Sequence, residues 1–287
     1  MLWIPMEQVP MDSPLTFTLI LLISYAAGLL GSLAGVGGGI VVVPALTLLF
    51  GVEIKQAIAA SIVAVVATST GAASTYVRDR VANMRLGMLL EVATVTGALG
   101  GALLAAWVSA RALFVLFGGL MAYTAWNMSR NKRAADRDLP PSPLADRLKV
   151  HGAYYDQAAQ REVAYRVTRL GWGFTVSGLA GVASGLLGIG GGVLKVPVMN
   201  LLMGIPVKAC TATSNFMIGV TAAAGAAVYF MRGDVRLAVA APVALGVLFG
   251  AKTGARMMNR IHGNVIRIIF VIILALTAAQ MCWKGWR

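Results

Sequence analysis

Two glycine runs carry the strongest chemical signal in this 287-residue chain. Gly35-x-Gly37-Gly38-Gly39 and Gly188-x-Gly190-Gly191-Gly192 each sit inside a long apolar stretch, and each is followed by a Val-Pro pair, Val43-Pro44 and Val196-Pro197. Consecutive glycines interrupt a helix, because their backbone leaves helical geometry at little steric cost. Backbone N–H groups freed at Gly37, Gly38 and Gly39, and at Gly190, Gly191 and Gly192, would face a small anion from the positive ends of half-helices. Pro44 and Pro197 would then begin or kink the short helices that follow. The competing reading is close helix packing, since Gly31, Gly35 and Gly39 are spaced as small-xxx-small. A dinucleotide fingerprint is excluded, because the third glycine it needs is Ile40 in one run and Val193 in the other.

Lys195 follows the second run by three positions, and a cation inside an apolar span is a functional hypothesis by default. It would supply positive charge to an anion, with snorkelling to an interface along its stem as the alternative. Thr211-Ala-Thr213-Ser214-Asn215 forms a second polar cluster. Thr213, Ser214 and Asn215, with Ser61 in the first half, could hydrogen-bond oxyanion oxygens or, equally, neighbouring helices. Of the eleven acidic residues only Glu91 falls within an expected span, near one end, where solvation at the interface is the expectation. Cys210 reads as a small buried packing residue. With two separated cysteines, two histidines and no Ser/His/Asp or paired-carboxylate constellation in the spans, neither a metal site, a cofactor nor an enzyme is expected.

These residues need a membrane scaffold. The chain is 58% hydrophobic and 12% charged, with a mean hydropathy of +0.78. Soluble domains carry about 25% charged residues and disordered ones far fewer apolar residues, so both classes are excluded. The fold class is an all-α polytopic membrane protein. Ser13 to Val52 holds no charge over 40 residues. As helix that is about 60 Å, twice a hydrocarbon core of about 30 Å, so the run passes twice or folds back. Gln56–Val77, Leu86–Ala110 and Ala112–Ser129 complete five segments. Leu170–Ile189, Gly190–Ile205, Ala209–Met231, Leu237–Ala251 and Ile268–Trp283 make five more. Residues 1–129 and 171–287 are thus two transmembrane repeats. Residues 130–170 are a polar linker with nine basic residues, expected to be partly helical from Tyr154 to Arg166.

The halves are internal copies. At an offset of 153, 12 of the 28 positions from Gly28 to Lys55 match Gly181 to Lys208, and Ser61, Tyr76, Gly97 and Gly101 recur as Ser214, Tyr229, Gly250 and Gly254. The net charge of +13 follows the positive-inside rule rather than a nucleic-acid-binding face. With the N-terminus outside and five crossings per half, 17 basic residues fall inside and six outside, which places the linker in the cytoplasm. The start, Met1 to Pro14, lacks the basic region of a cleaved signal peptide. An odd number of crossings makes the halves antiparallel, two inverted-topology repeats of about five transmembrane or half-spanning segments each.

The doubled G-[VI]-G-G-G-x-x-x-V-P motif, each copy followed by a short apolar segment and a Gly-[VI]-x-x-Lys turn, resembles the TauE/SafE family of sulfite exporters over about residues 15–283. The resemblance implies a carrier in the bacterial inner membrane that exports sulfite, sulfoacetate or related organosulfonates. Moving one negative charge outward releases about 2.3 kcal/mol per 100 mV, so export needs no proton coupling and is expected to be electrogenic. Uptake of another small anion or solute, and a non-transporting membrane scaffold, stay open as alternatives. The expected partners are the small anion, the lipid bilayer and, if Gly97/Gly101 and Gly246/Gly250/Gly254 pack between protomers, a second copy.

Overall fold

The computed structural model describes residues 13–130, 142–258 and 263–286. The signal-peptide reading of the segment before Ser13, the prolines Pro140 and Pro141, and His262 fall outside these residues. The first half comprises α1 (Pro14–Ala34), α2 (Gly39–Leu48), α3 (Ile54–Arg78), α4 (Met84–Leu104) and α5 (Ala110–Arg130). A connector follows, with the short helix α6 (Pro143–Arg147) and strands β1 (Gly152–Asp156) and β2 (Arg161–Tyr165). The second half comprises α7 (Leu170–Leu187), α8 (Gly192–Pro197) continuing into a π-helical turn (Val198–Leu202), α9 (Val207–Met231), α10 (Leu237–Met258) and α11 (Gly263–Trp286). Six of these helices, α1, α3, α4, α7, α9 and α10, are long and apolar enough to cross a bilayer.

Local chemistry sets the element ends. Ser13 caps α1 by accepting the Thr16 N–H at 3.1 Å, ahead of Pro14 in the first turn. Gly35 and Gly188 end α1 and α7 with φ of 74° and 67°, the left-handed conformation that side chains resist. Pro197 donates no hydrogen bond, and the helix beyond it widens into the π turn, where Asn200 Nδ2 donates to the Ile205 carbonyl at 2.8 Å. The 10-residue α2 rises only about 15 Å, half a hydrocarbon core. It cannot cross; it folds back against α1 through a turn at the glycine run.

Packing follows the internal offset. α1 lies along α10 and, at the corresponding place, α7 lies along α4. Gly250 of α10 presses against the Tyr25 carbonyl of α1, and its counterpart Gly97 of α4 presses against the Gly178 carbonyl of α7. Gly254 and Gly101 repeat the relation against Leu29 and Val182. These small-residue stripes therefore seat helices inside the molecule, where close backbone approach replaces the hydrophobic drive that lipid does not supply. At the centre, α3 and α9 cross antiparallel: Ile62 meets Gly225 at one end of the contact, and Ser69 donates to the Asn215 carbonyl at the other.

The connector corrects the helical expectation for Tyr154–Arg166. Those residues form an antiparallel hairpin with Tyr154 opposite Val163 and Asp156 opposite Arg161. Tyr154, Tyr155, Val163 and Tyr165 favour a pleated surface, and Asp156 Oδ1 ties off the turn by accepting the Ala158 and Ala159 N–H groups. The hairpin is fixed to the helices by Asn83 Nδ2, which donates to the Val150 carbonyl at 2.7 Å, and by a 2.6 Å ion pair between Asp156 and Lys208 at the start of α9.

Burial alone would raise the Asp156 carboxyl. The Lys208 hydrogen bond, the turn amides and the Lys208 charge together outweigh it and lower the group below its ordinary value. A lowered folded-state pKa means that this docking is complete above the ordinary aspartate range and is lost as pH falls through the lowered value. Amide protection of Gly152–Tyr165 should fall roughly fivefold on acidification below about pH 4, the worth of one partly exposed ion pair. In Asp156→Asn that acid step should disappear. Hydrogen exchange across the pH range checks it, and an unchanged step in the variant would assign it to another group.

Candidate substrate site at the paired glycine breaks

The two glycine runs meet at the α3–α9 crossing. Positive φ at Gly37 (77°) and Gly190 (72°) turns each chain back on itself, and both turns rest on the same two side chains, Val65 of α3 and Ile218 of α9, themselves offset counterparts. Ser61 Oγ donates to the Gly188 carbonyl at 2.7 Å, while Ser214 Oγ donates to the Gly35 carbonyl at 2.5 Å. Each serine thus closes the broken helix end of the opposite half. Tyr76 and Tyr229 do the same within their own halves, donating to the Ser32 and Gly185 carbonyls at 3.0 and 2.8 Å. Helix ends leave carbonyls without intrahelical partners, and in lipid these need donors from the protein itself.

The space at the breaks is tight. A Cβ on Gly39 would come within 2.5 Å of the Gly188 carbonyl oxygen and 2.6 Å of Ser61 Oγ. On Gly192 it would meet the Gly35 carbonyl oxygen and, at 2.6 Å, Val36 Cα. On Gly38 it would meet Val247 and Thr68 at 3.1 and 3.2 Å. On Gly191, at φ 72°, it would meet the Ala180 carbonyl at 2.9 Å. All six glycines are buried.

The other sequence candidates occupy the same neighbourhood in different roles. Asn215 Nδ2 donates to the Ser32 and Thr211 carbonyls at 2.9 and 3.0 Å, which leaves its buried Oδ1 without a hydrogen-bond partner among the described residues. Thr213 Oγ1 accepts the Asn83 N–H at 2.9 Å, at the foot of α4. Cys210 is buried, with Sγ 3.2 Å from the Ile205 carbonyl. Among the described residues no group of three metal-ligating side chains comes together.

Lys195 is 1% exposed, so snorkelling to an interface is corrected. Nor does its charge stand alone. The expectation that Glu91 is solvated is also overturned: this residue of α4 is 7% exposed, with Oε2 3.6 Å from Lys195 Nζ. Lys195 donates to Thr221 Oγ1 at 2.9 Å, and Thr221 in turn donates to Glu91 Oε1, beside Thr94 Oγ1 at 3.3 Å. Glu91 and Lys195 are the only charged residues buried among the described ones. They neutralise each other, because an unpaired charge at this depth costs several kcal/mol or more. Glu91 sits two turns inside α4, and that depth was the available signal. Its partner lies over a hundred positions further along the chain, a distance that no local pattern bridges. Thr221 was legible only as the offset counterpart of Thr68.

A family model described as "Sulfite exporter TauE/SafE" matches residues 20–281, spanning both glycine breaks, Glu91 and Lys195. The chain belongs to the TauE/SafE family. Similarity extends to a protein of Bacillus subtilis (strain 168), "Probable membrane transporter protein YunE", at 27% identity over 283 residues, which cover 94% of this chain and 99% of that one. No solved structure gives a significant match. As a TauE/SafE member built from apolar spanning helices, the chain is a multi-pass membrane transporter. Its glycine breaks, with their reciprocal serine bonds, are the structural core of that transporter.

Proposed function

We propose that this transporter exports a small sulfur oxyanion, sulfite, sulfoacetate or a related organosulfonate, across the bacterial inner membrane. The two halves act as inverted-topology repeats about a midplane site at the glycine breaks, with the N-terminus outside and the connector in the cytoplasm. The observation that carries this reading is Lys195, a cation held in the interior beside the meeting point of the breaks. A fold that needed only packing would not place it there. The family's printed description supports the substrate class, and the excess of arginine and lysine on the connector side supports the orientation.

The site works by exchange of partners. At rest, Glu91 and Thr221 satisfy the ammonium of Lys195. A substrate oxyanion takes the place of the carboxylate, while Ser61, Ser214, Thr213 and Asn215 hold the backbone around it in shape. Rocking of one repeat against the other then exposes the site to the far side. Outward movement of net negative charge is driven by the membrane potential, about 2.3 kcal/mol per charge per 100 mV.

Proteoliposomes carrying the purified protein, loaded with sulfite or sulfoacetate and held at a potassium-diffusion potential, test this directly. Efflux should saturate with anion concentration and rise as the interior becomes negative. Folded protein that passes neither anion would overturn the substrate class.

A further inference from the structure

We propose that Glu91 is a proton-binding site of the transport cycle: an anion engages Lys195 only when Glu91 has taken up a proton, so one proton binds with each anion. The inference rests on the reading that the anion passes Lys195. It adds a second transported species and replaces the expectation of proton-independent export.

Four observations carry it. Glu91 is the only buried acid among the described residues, and the charged group it faces is the one buried cation among them. The pair is loosely made: Nζ bonds Thr221 rather than the carboxylate, and buried Oε2 has no hydrogen-bond partner among the described residues, only the ammonium 3.6 Å away. A carboxylate oxygen without a hydrogen-bond partner can accept a proton without rearranging the other bonds. Third, Lys195 of α8 is the one titratable side chain that the helices around Glu91 bring to it among the described residues: α7 carries none, and α9 presents Thr221.

The fourth is an internal control. At the positions offset by 153, the other half holds Val42 for Lys195, Ala244 for Glu91, Val247 for Thr94 and Thr68 for Thr221. Val42 and Val247 are buried in the apolar core, and Thr68 donates to the Ala64 carbonyl of its own helix at 2.9 Å and accepts the Gly38 N–H at 3.4 Å. The same architecture therefore closes this corner without charge. Replacing a buried ion pair by apolar side chains is commonly neutral or stabilising, so packing alone does not call for Glu91 and Lys195.

The chemistry balances without an external reagent. A proton from water adds to Glu91 Oε2, the carboxyl becomes neutral, and the Lys195 ammonium keeps its charge for the incoming oxyanion. Anion release and loss of that proton on the far side restore the pair. A dianion accompanied by one proton still moves one net negative charge, so the flux remains sensitive to potential.

The test uses whole protein in vesicles with an internal pH indicator and whichever of sulfite and sulfoacetate the wild type carries, comparing wild type with Glu91→Gln. Protons borne by the substrate are common to both proteins. Wild type should move one more proton per anion than the variant, and its flux should fall by up to about tenfold per pH unit on the alkaline side. In Glu91→Gln the pH dependence should shrink to that of the substrate's own protonation. Equal proton-to-anion ratios, or a pH profile as steep in the variant as in wild type, would overturn the inference while leaving anion transport intact. If the variant fails to fold, a wild-type flux independent of pH overturns it equally. Absence of wild-type flux for both anions would refute the transport reading instead.

Discussion

Lys195→Met should abolish anion flux and destabilise the protein by about 3–5 kcal/mol, because it leaves the Glu91 carboxylate buried without its counter-charge. Methionine spans a similar length and places an apolar side chain where the other half carries Val42. Adding Glu91→Gln to the same protein should recover most of that stability without recovering flux. Thermal unfolding in detergent measures the first quantity, and vesicle efflux the second. The four proteins form a double-mutant cycle in which the stability coupling should approach the sum of the two single-variant losses, since removing either charge alone exposes the other. Recovery of flux in the double variant would mean that Lys195 serves the fold only, and that the anion passes elsewhere.

The second large effect is expected at Gly192 and Gly39. An alanine methyl at Gly192 would press on the Gly35–Val36 backbone, and one at Gly39 on the Gly188 carbonyl. Backbone cannot yield as a flexible side chain does, so each break would be pushed off its partner and off the Ser214 or Ser61 bond that closes it. Each substitution should cost about 2–3 kcal/mol and should reduce flux more than it reduces the amount of folded protein. Gly100→Ala and Gly119→Ala are the controls: both are helical glycines with open space where the methyl would go. They should be neutral or stabilise by about 0.5–1 kcal/mol. A loss of flux in the controls equal to that at Gly192 would remove any special role from the breaks.

Much of the architecture was legible because it rests on periodicity and repetition. Charge-free length gave the spans, and Gly-Gly-Gly followed by Val-Pro gave the breaks. The offset of 153 aligned Ser61 with Ser214 and Tyr76 with Tyr229. The serines proved to bond across the halves and the tyrosines within them, which a recurrence alone does not say. Why the rest was hidden is physical. Whether Gly97 and Gly250 pack within one chain or between two depends on which helices are neighbours, and that is settled by tertiary contact. The connector was misread as helix because its apolar and aromatic residues over Tyr154–Tyr165 fit either period; its Asp156 turn and its docking on Lys208 decide for strands. Glu91 was misjudged for a related reason. An acid near a helix end reads as solvated unless its partner is known, and Lys195 is supplied by a segment from the other half of the chain.

The most direct test of the central claim is charge movement on a solid-supported membrane after a jump in anion concentration. The comparison is between wild type and the folded Glu91→Gln/Lys195→Met double variant at equal protein density. Wild type should give a saturable transient whose sign reports net negative charge moving with the anion, and the double variant should give none. A double-variant current equal to that of wild type would contradict the account, since it would place the anion's path away from Lys195 and the paired glycine breaks.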